Sequence, residues 1–225
     1  MAIFENGQLP RHVLFDLDGT LADTAPDLVA ALNHILRSLD RTQVDLGVAR
    51  CWVADGSVGL IQNGLKITKE EALNSPYRQS LLEEYSRNLC TQTQLFPGIS
   101  EVLAGLEKRN VPWGIVTNKP QRFTKPLLAA LGLDARAGSV VSGDTLSRSK
   151  PDPAPLQLAC EEMGVLPSGG VMIGDDLRDI DAGRANGMRT IAAAWGYRPM
   201  NEVRDWGADQ MALDPTGLLL AMGLD

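Results

Sequence analysis

With 225 residues, 44% hydrophobic and 22% charged, the chain is long enough for a large core and for two domains, and its composition is that of an ordinary globular protein. A formal net charge of −7 argues against a nucleic-acid binder, which needs a basic face, yet leaves phosphorylated small molecules open because a metal and a few local cations can offset the field. Three cysteines, odd in number and outside CxxC spacing, and only two histidines exclude a disulfide framework, a zinc site and Ser-His-Asp chemistry.

The first element is the apolar run Val13-Leu14-Phe15, read as a buried strand, which ends on Asp16-Leu17-Asp18-Gly19-Thr20. Side chains two apart on a strand share a face, so both carboxylates point to one site where the strand stops. One can attack while its neighbour handles a proton, and together they can hold a divalent cation. Residues 23–92 then read as all-helical. A helix over 27–39 carries Leu28, Leu32, Ile35, Leu36 and Leu39 on one side, a second stretch lies around 46–64, and a third runs from Pro76 to Leu89. From residue 93 onward helices near 99–110, 121–131, 153–163 and 177–186 alternate with strands at Trp113–Thr117, Ser139–Ser142, Gly170–Gly174 and Arg189–Ala192. This alternation predicts an α/β fold, a Rossmann-like parallel sheet with helices on both faces. Ligands bind such sheets at the carboxyl ends of the strands, where Asp16, Thr117 and Asp175 all fall. The core is expected to be discontinuous, residues 1–22 plus 93–225, with 23–92 inserted as a helical cap placed to act as a lid.

Four patches stand together: Asp16-Leu-Asp18-Gly-Thr20, Thr117-Asn118, Lys150-Pro-Asp-Pro153 and Gly174-Asp175-Asp176-Leu-Arg-Asp179. In this order they resemble the haloacid dehalogenase superfamily, and most closely its phosphoglycolate-phosphatase-like members with a small helical cap. The resemblance implies a phosphomonoester hydrolase that works through an aspartyl-phosphate on Asp16, with Asp18 as general acid and then base. It implies Mg²⁺ held by Asp16, Asp175 and the backbone carbonyl of Asp18, with Mn²⁺ also suited to oxygen ligands. Thr117 and Asn118 would bind the phosphoryl group, and Lys150 would set a positive charge against it. Asp179 would orient Lys150, and Asp176 would support the metal. Replacing Lys150 is expected to cost rate but little stability.

The stretch from Trp113 to Phe123, the later patches and Trp195-Gly-Tyr-Arg198 are also similar to bacterial N-acetylmuramic acid 6-phosphate phosphatases. A sugar phosphomutase of the same superfamily is the other alternative. Leaving-group choice is assigned to the cap segment after Ala49, with Arg50, Trp52, Asp55 and Ser57 as candidates. The expected partner is a small phosphorylated metabolite, with no nucleic acid and no membrane, for a monomer or homodimer. No charged N-terminal segment leads into a long apolar run and no apolar stretch reaches span length, so a cytoplasmic location is expected. Plainer readings apply elsewhere. Asn118 could instead cap the helix at Gln121, and Trp195-Gly-Tyr-Arg198 either lines the site's rim or simply turns the chain. His34 reads as a surface residue. The three cysteines read as core or boundary residues with no histidine partner evident.

Overall fold

A computed structural model describes residues 9–223, so the parts of the expected core at 1–8 and 224–225 lie outside the described residues. The chain divides into two compact units, one formed by the residues up to Ala22 and from Leu95 onward, the other by Asp23–Gln94. The strand β1 (Val13–Phe15) opens the first unit, and the chain leaves it through β2 (Ala22–Asp23).

The second unit is helical. Its first helix, α1 (Ala25–Ser38), buries Leu28, Leu32, Ile35 and Leu36, the apolar face that the sequence marks. The stretch around 46–64 is not one helix but three pieces: α2 (Leu46–Ala49), a 3₁₀ segment at Arg50–Asp55, and α3 (Gly56–Leu65). Asp45 caps α2 by accepting from Gly47 N at 2.7 Å, and Gly56 ends the 3₁₀ turn at φ 63°, a conformation glycine adopts without the Cβ penalty. Thr68 and Glu71 form a reciprocal capping box for α4 (Lys69–Leu73), and Ser75 with Pro76 starts α5 (Pro76–Arg87). The buried Asp27 of α1 closes the unit by accepting from Gln92 N at 2.9 Å and from Thr93 N and Oγ1 at 3.0 and 2.7 Å.

The chain returns through β3 (Gln94–Leu95), which pairs with β2. The first unit then continues with α6 (Ile99–Lys108), β4 (Trp113–Val116), α7 (Gln121–Ala130) and β5 (Val140–Val141). It is completed by α8 (Ala154–Glu162), β6 (Val171–Gly174), α9 (Leu177–Ala185), β7 (Arg189–Ala193), α10 (Met200–Arg204), β8 (Gln210–Ala212) and α11 (Gly217–Met222). β1, β4, β5, β6, β7 and β8 form one parallel sheet in the order β5-β4-β1-β6-β7-β8. Leu14, Val116 and Met172 pack on one face with Leu156, Ala159 and Cys160 of α8. Their strand neighbours Phe15, Ile115 and Ile173 point to the opposite face and are equally sealed, so both faces are covered. β8, α10 and α11 extend the unit beyond the elements expected from the sequence.

The register positions the chemistry. Phe15 lies level with Ile115 and with Ile173, so Asp16 comes level with Val116 and Gly174, and Thr117 and Asp175 follow one step on. Three adjacent strands therefore deliver their polar residues to one end of the sheet, where β1 is flanked on both sides and the strand order runs outward in two directions.

Candidate active site

Asp16 follows the last residue of β1, its backbone N–H donating to Ile173 O at 2.9 Å. Its carboxylate meets the ammonium of Lys150, with Nζ 2.8 Å from Oδ1. The same ammonium lies 2.6 Å from Asp179 Oδ1 and donates to Val116 O. Lys150, Asp16 and Asp179 are all buried, so the lysine's charge is held by partners rather than water. Burial alone would lower the ammonium's pKa, but Asp16 and Asp179 outweigh it and raise the value above that of an ordinary lysine.

Lys150 comes from a loop that reaches the strand ends through Asn118. The Asn118 side chain donates to Lys150 O at 2.9 Å and accepts from Lys150 N at 3.0 Å, so both ends of its amide fix the lysine's backbone. The α7 helix has Pro120 as its N-cap residue, and its first N–H, on Gln121, donates to Asp144 Oδ1 at 2.7 Å, so Asn118 is not its N-cap. Thr117 is buried, and its hydroxyl accepts from Lys119 N at 3.1 Å, which leaves its own proton to donate.

Asp175, next after β6, is buried and held by Tyr197 N at 2.8 Å on Oδ2 and by Thr20 Oγ1 at 3.3 Å on Oδ1. Bare backbone approaches it at two glycines. A Cβ on Gly196 would lie 2.1 Å from Asp175 Cβ, and one on Gly19, itself at φ 85°, would lie 2.2 Å from Asp175 Oδ2. Desolvation is the main cause that raises the Asp175 pKa well above the usual carboxylate range, with Asp16 adding to it. Burial also raises Asp16, against the pull of Lys150, and lifts Asp179 to about 7.

Asp176 serves the helix rather than the cluster. It caps α9 through Arg178 N at 3.1 Å, and Asp179 Oδ2 accepts from Asp176 N at 3.1 Å in return. Arg178 Nε and Arg198 Nε bind its two oxygens at 2.7 and 2.9 Å. Burial opposes ionisation there, yet these bonds depress its pKa to about 2. The Trp195–Arg198 run is thus part of the site's wall: Trp195 Nε1 donates to Thr20 O at 3.1 Å, Tyr197 N holds Asp175, and Arg198 holds Asp176.

Asp18, two residues further along the same turn, adds its charge to the causes that raise the Asp16 pKa. Its Oδ1 lies 2.9 Å from Nζ of Lys119, a lysine only 7% exposed along its side chain. Lys119 is not singled out as a site residue by the sequence patches, because its partner lies 101 residues away, while Thr20 lies in the first patch and meets Asp175 155 residues further on.

The donor set suits a divalent cation. Asp16, Asp175 and Asp179 bring carboxylate oxygens within 4.8 Å of one another, all three residues are buried, and the ligands are oxygen only. Three carboxylates against one lysine leave an excess of negative charge that a dication would balance. Asp179 has one oxygen on Lys150 and the other on Asp176 N, and Asp175 likewise has both oxygens engaged, by Tyr197 N and Thr20 Oγ1.

The four cap candidates lie in the helical unit. Arg50 makes a bidentate pair with Asp23 at 2.9 and 2.7 Å, Ser57 accepts from Arg78 Nε at 3.0 Å, Asp55 precedes α3, and Trp52 is half-buried. Elsewhere Cys160 does have a histidine neighbour, His12, with Sγ 3.4 Å from Nε2 in the core. Burial pushes the thiol up to about 11 and the imidazole down to about 4, so both stay neutral and the pair is inert near neutral pH. Cys90 is half-buried and Cys51 is exposed rather than a boundary residue, while His34 lies at the surface beside Glu84. Among the described residues no helix is long and apolar enough to cross a membrane.

The chain is similar to known proteins over nearly its whole length. The chain is 40% identical over 209 residues to the N-acetylmuramic acid 6-phosphate phosphatase of Pseudomonas putida KT2440, spanning 92% of this chain and 94% of the relative. It is also 40% identical over 215 residues to the phosphoglycolate phosphatase of Xanthomonas campestris pv. campestris 8004, spanning 94% and 96%. A crystal structure of a predicted phosphoglycolate phosphatase from Haemophilus somnus 129PT superposes with a TM-score of 0.78 at 27% identity, over 93% of this chain and 96% of the other. The profile of the haloacid dehalogenase-like hydrolases matches residues 13–193, from the first residue of β1 to the last of β7. The sheet, its polar strand ends and these relatives together place the chain in that family: it is a haloacid dehalogenase-like hydrolase.

Proposed function

We propose that the chain is a Mg²⁺-dependent phosphomonoester hydrolase that forms an aspartyl-phosphate on Asp16 and acts on a small phosphorylated metabolite in the cytoplasm. The observation that carries this reading is the buried Lys150 ammonium set between Asp16 and Asp179, beside Asp175 and a second carboxylate on the same loop as Asp16. Such a lysine neutralises both a carboxylate nucleophile and the dianionic group it must approach. Asp16 and Asp175 would hold the cation, which when bound offsets phosphoryl charge and aligns the group for in-line displacement.

Asp16 Oδ1 already accepts from Lys150, so Oδ2 is the oxygen offered to phosphorus. As the Asp16–phosphorus bond forms, the bond to the leaving oxygen breaks, and that oxygen takes a proton from Asp18. Asp18 then accepts a proton from water as the water attacks phosphorus, releasing inorganic phosphate and restoring Asp16. The Thr117 hydroxyl donates to a phosphoryl oxygen, and Asn118 contributes by fixing the Lys150 loop. Arg50, Trp52, Asp55 and Ser57 of the helical unit are assigned to leaving-group choice.

Phosphoglycolate and N-acetylmuramic acid 6-phosphate stand equally here, since relatives named for each are equally similar. Phosphate release is measured with Mg²⁺ over a panel of both, hexose phosphates and nucleoside monophosphates. We expect release that EDTA and Asp16→Asn each abolish. Full turnover by a verified Asp16→Asn protein overturns the nucleophile assignment.

A further inference from the structure

We infer that Trp195 is a positioning residue for the cation site: its indole N–H, acting through Thr20, holds Asp175 in the orientation that a divalent ion needs. This rests on the reading of Asp175 as a carboxylate that holds Mg²⁺. Strand order sets the geometry. β6 lies between β1 and β7, and Asp175 follows β6 directly. Thr20 stands in the turn beyond β1, and Trp195 stands two residues past the end of β7. Trp195 Nε1 donates to Thr20 O at 3.1 Å. The indole thus joins the turns of two strands that are not neighbours, from either side of the strand that delivers Asp175.

The contacts close a ring around that carboxylate. Thr20 Oγ1 donates to Asp175 Oδ1 at 3.3 Å, and Tyr197 N, two residues on from Trp195, donates to Oδ2 at 2.8 Å. One run after β7 therefore governs both oxygens, Oδ2 directly and Oδ1 through the threonine. A carboxylate oxygen has two lone pairs, so a donor on each leaves room for an ion while fixing the plane in which the remaining pairs point. Thr20 is fully buried and Asp175 is 4% exposed, so water does not replace a donor that is lost. The turn is tight in itself, with the N–H groups of Thr20, Leu21 and Ala22 donating to Leu17 O at 3.3, 3.0 and 2.9 Å. Those bonds shape the turn from within, whereas the indole ties it to the far side of β6.

Mg²⁺ affinity without turnover separates this role from a structural one. We would measure the Mg²⁺ dissociation constant by calorimetry on the substrate-free protein, with and without inorganic phosphate, so that an ion entering only beside a phosphoryl group is also read. Trp195→Phe keeps an aromatic ring and removes the N–H, and Thr20→Val removes the hydroxyl and keeps the shape. Outer contacts to a metal ligand carry about 10- to 100-fold of its affinity. Thr20→Val is expected to raise the constant by about tenfold or more, and Trp195→Phe, one contact further out, by about three- to tenfold. In the Thr20→Val background, Trp195→Phe should add less than about twofold, because the indole acts through that hydroxyl. An unchanged constant in Trp195→Phe, whatever its stability in urea, or an effect that multiplies in full with that of Thr20→Val, would overturn the inference while leaving Asp175 as the metal carboxylate. If Asp175→Asn binds Mg²⁺ as tightly as the parent, or the parent binds none in either condition, the reading of Asp175 fails first and takes the inference with it. Should Trp195→Phe not fold, benzothienylalanine in place of Trp195 answers the same comparison, since it keeps the fused-ring shape and lacks the N–H.

Discussion

Removing the Lys150 ammonium would leave Asp16 and Asp179 facing a common centre with no cation between them. Both are buried, and the lysine also closes Val116 O, so three acceptors lose their donor at once. Breaking one partner of a buried pair costs about 3–5 kcal/mol, because the charge left behind is not solvated. Lys150→Met is therefore expected to lose at least about 100-fold in phosphate release, the scale on which one electrostatic donor acts in an active site. It should also unfold about 3 kcal/mol more easily in urea. A variant as stable as the parent would mean that water enters the cluster and that Lys150 is replaceable in the fold. The sequence predicts the loss of rate but little loss of stability, because Lys150-Pro151 reads as an exposed loop dipeptide. Burial of the lysine depends on Asn118, 32 residues away, and nothing in the local sequence carries that information. Asp16 and Asp175 are legible because polar residues that end apolar runs stand out, whereas Lys150, in a polar loop, is legible only through its place in the four-patch resemblance. Lys119 is not, because a lysine after a strand is ordinary until its partner is known.

At the scale of elements, the parallel strands before Arg198 are readable because each is a short apolar run of the kind that both faces of a covered sheet demand. The elements after Arg198 are not. α10, β8 and α11 are five, three and six residues long, too short for a period to declare itself. The turn between β7 and α10 shows what such segments do. Gly196 has no side chain, and a Cβ added there would fall 2.1 Å from Asp175 Cβ, a contact that neither backbone can relieve without moving. Tyr197 N, one residue on, is the donor that fixes Asp175 Oδ2. Gly196→Ala is therefore expected to displace Asp175, cut phosphate release by at least about tenfold and raise the Mg²⁺ concentration needed for half-maximal rate. Its stability should fall by only about 1–3 kcal/mol, as for other overpacked sites. An alanine variant with unchanged rate and unchanged Mg²⁺ dependence would show that the turn shapes the fold without setting the carboxylate.

At the scale of the molecule, the sheet unit folds around an electrostatic debt. Asp16, Asp175 and Asp179 are buried with oxygens within 4.8 Å of one another, and Lys150 supplies a single positive charge between them. Burial raises the pKa of all three carboxylates, so ionising them together works against the folded state. A dication that binds only the folded chain reverses that balance by linkage: at 100 times its dissociation constant it adds about 2.7 kcal/mol. For a unit of this size that corresponds to a rise in Tm of about 5–10 °C. The chain is therefore expected to melt higher in millimolar Mg²⁺ than in EDTA. Asp175→Asn should abolish the Mg²⁺ shift while melting in EDTA at least as high as the parent, because one buried charge has been removed from the cluster. The two arms separate the site from a general salt effect, which would raise parent and variant alike. A Mg²⁺ shift that survives in Asp175→Asn would place the ion elsewhere. A parent with no shift would mean that Lys150 and partial protonation already balance the three carboxylates, so that the cation enters only with the phosphorylated substrate.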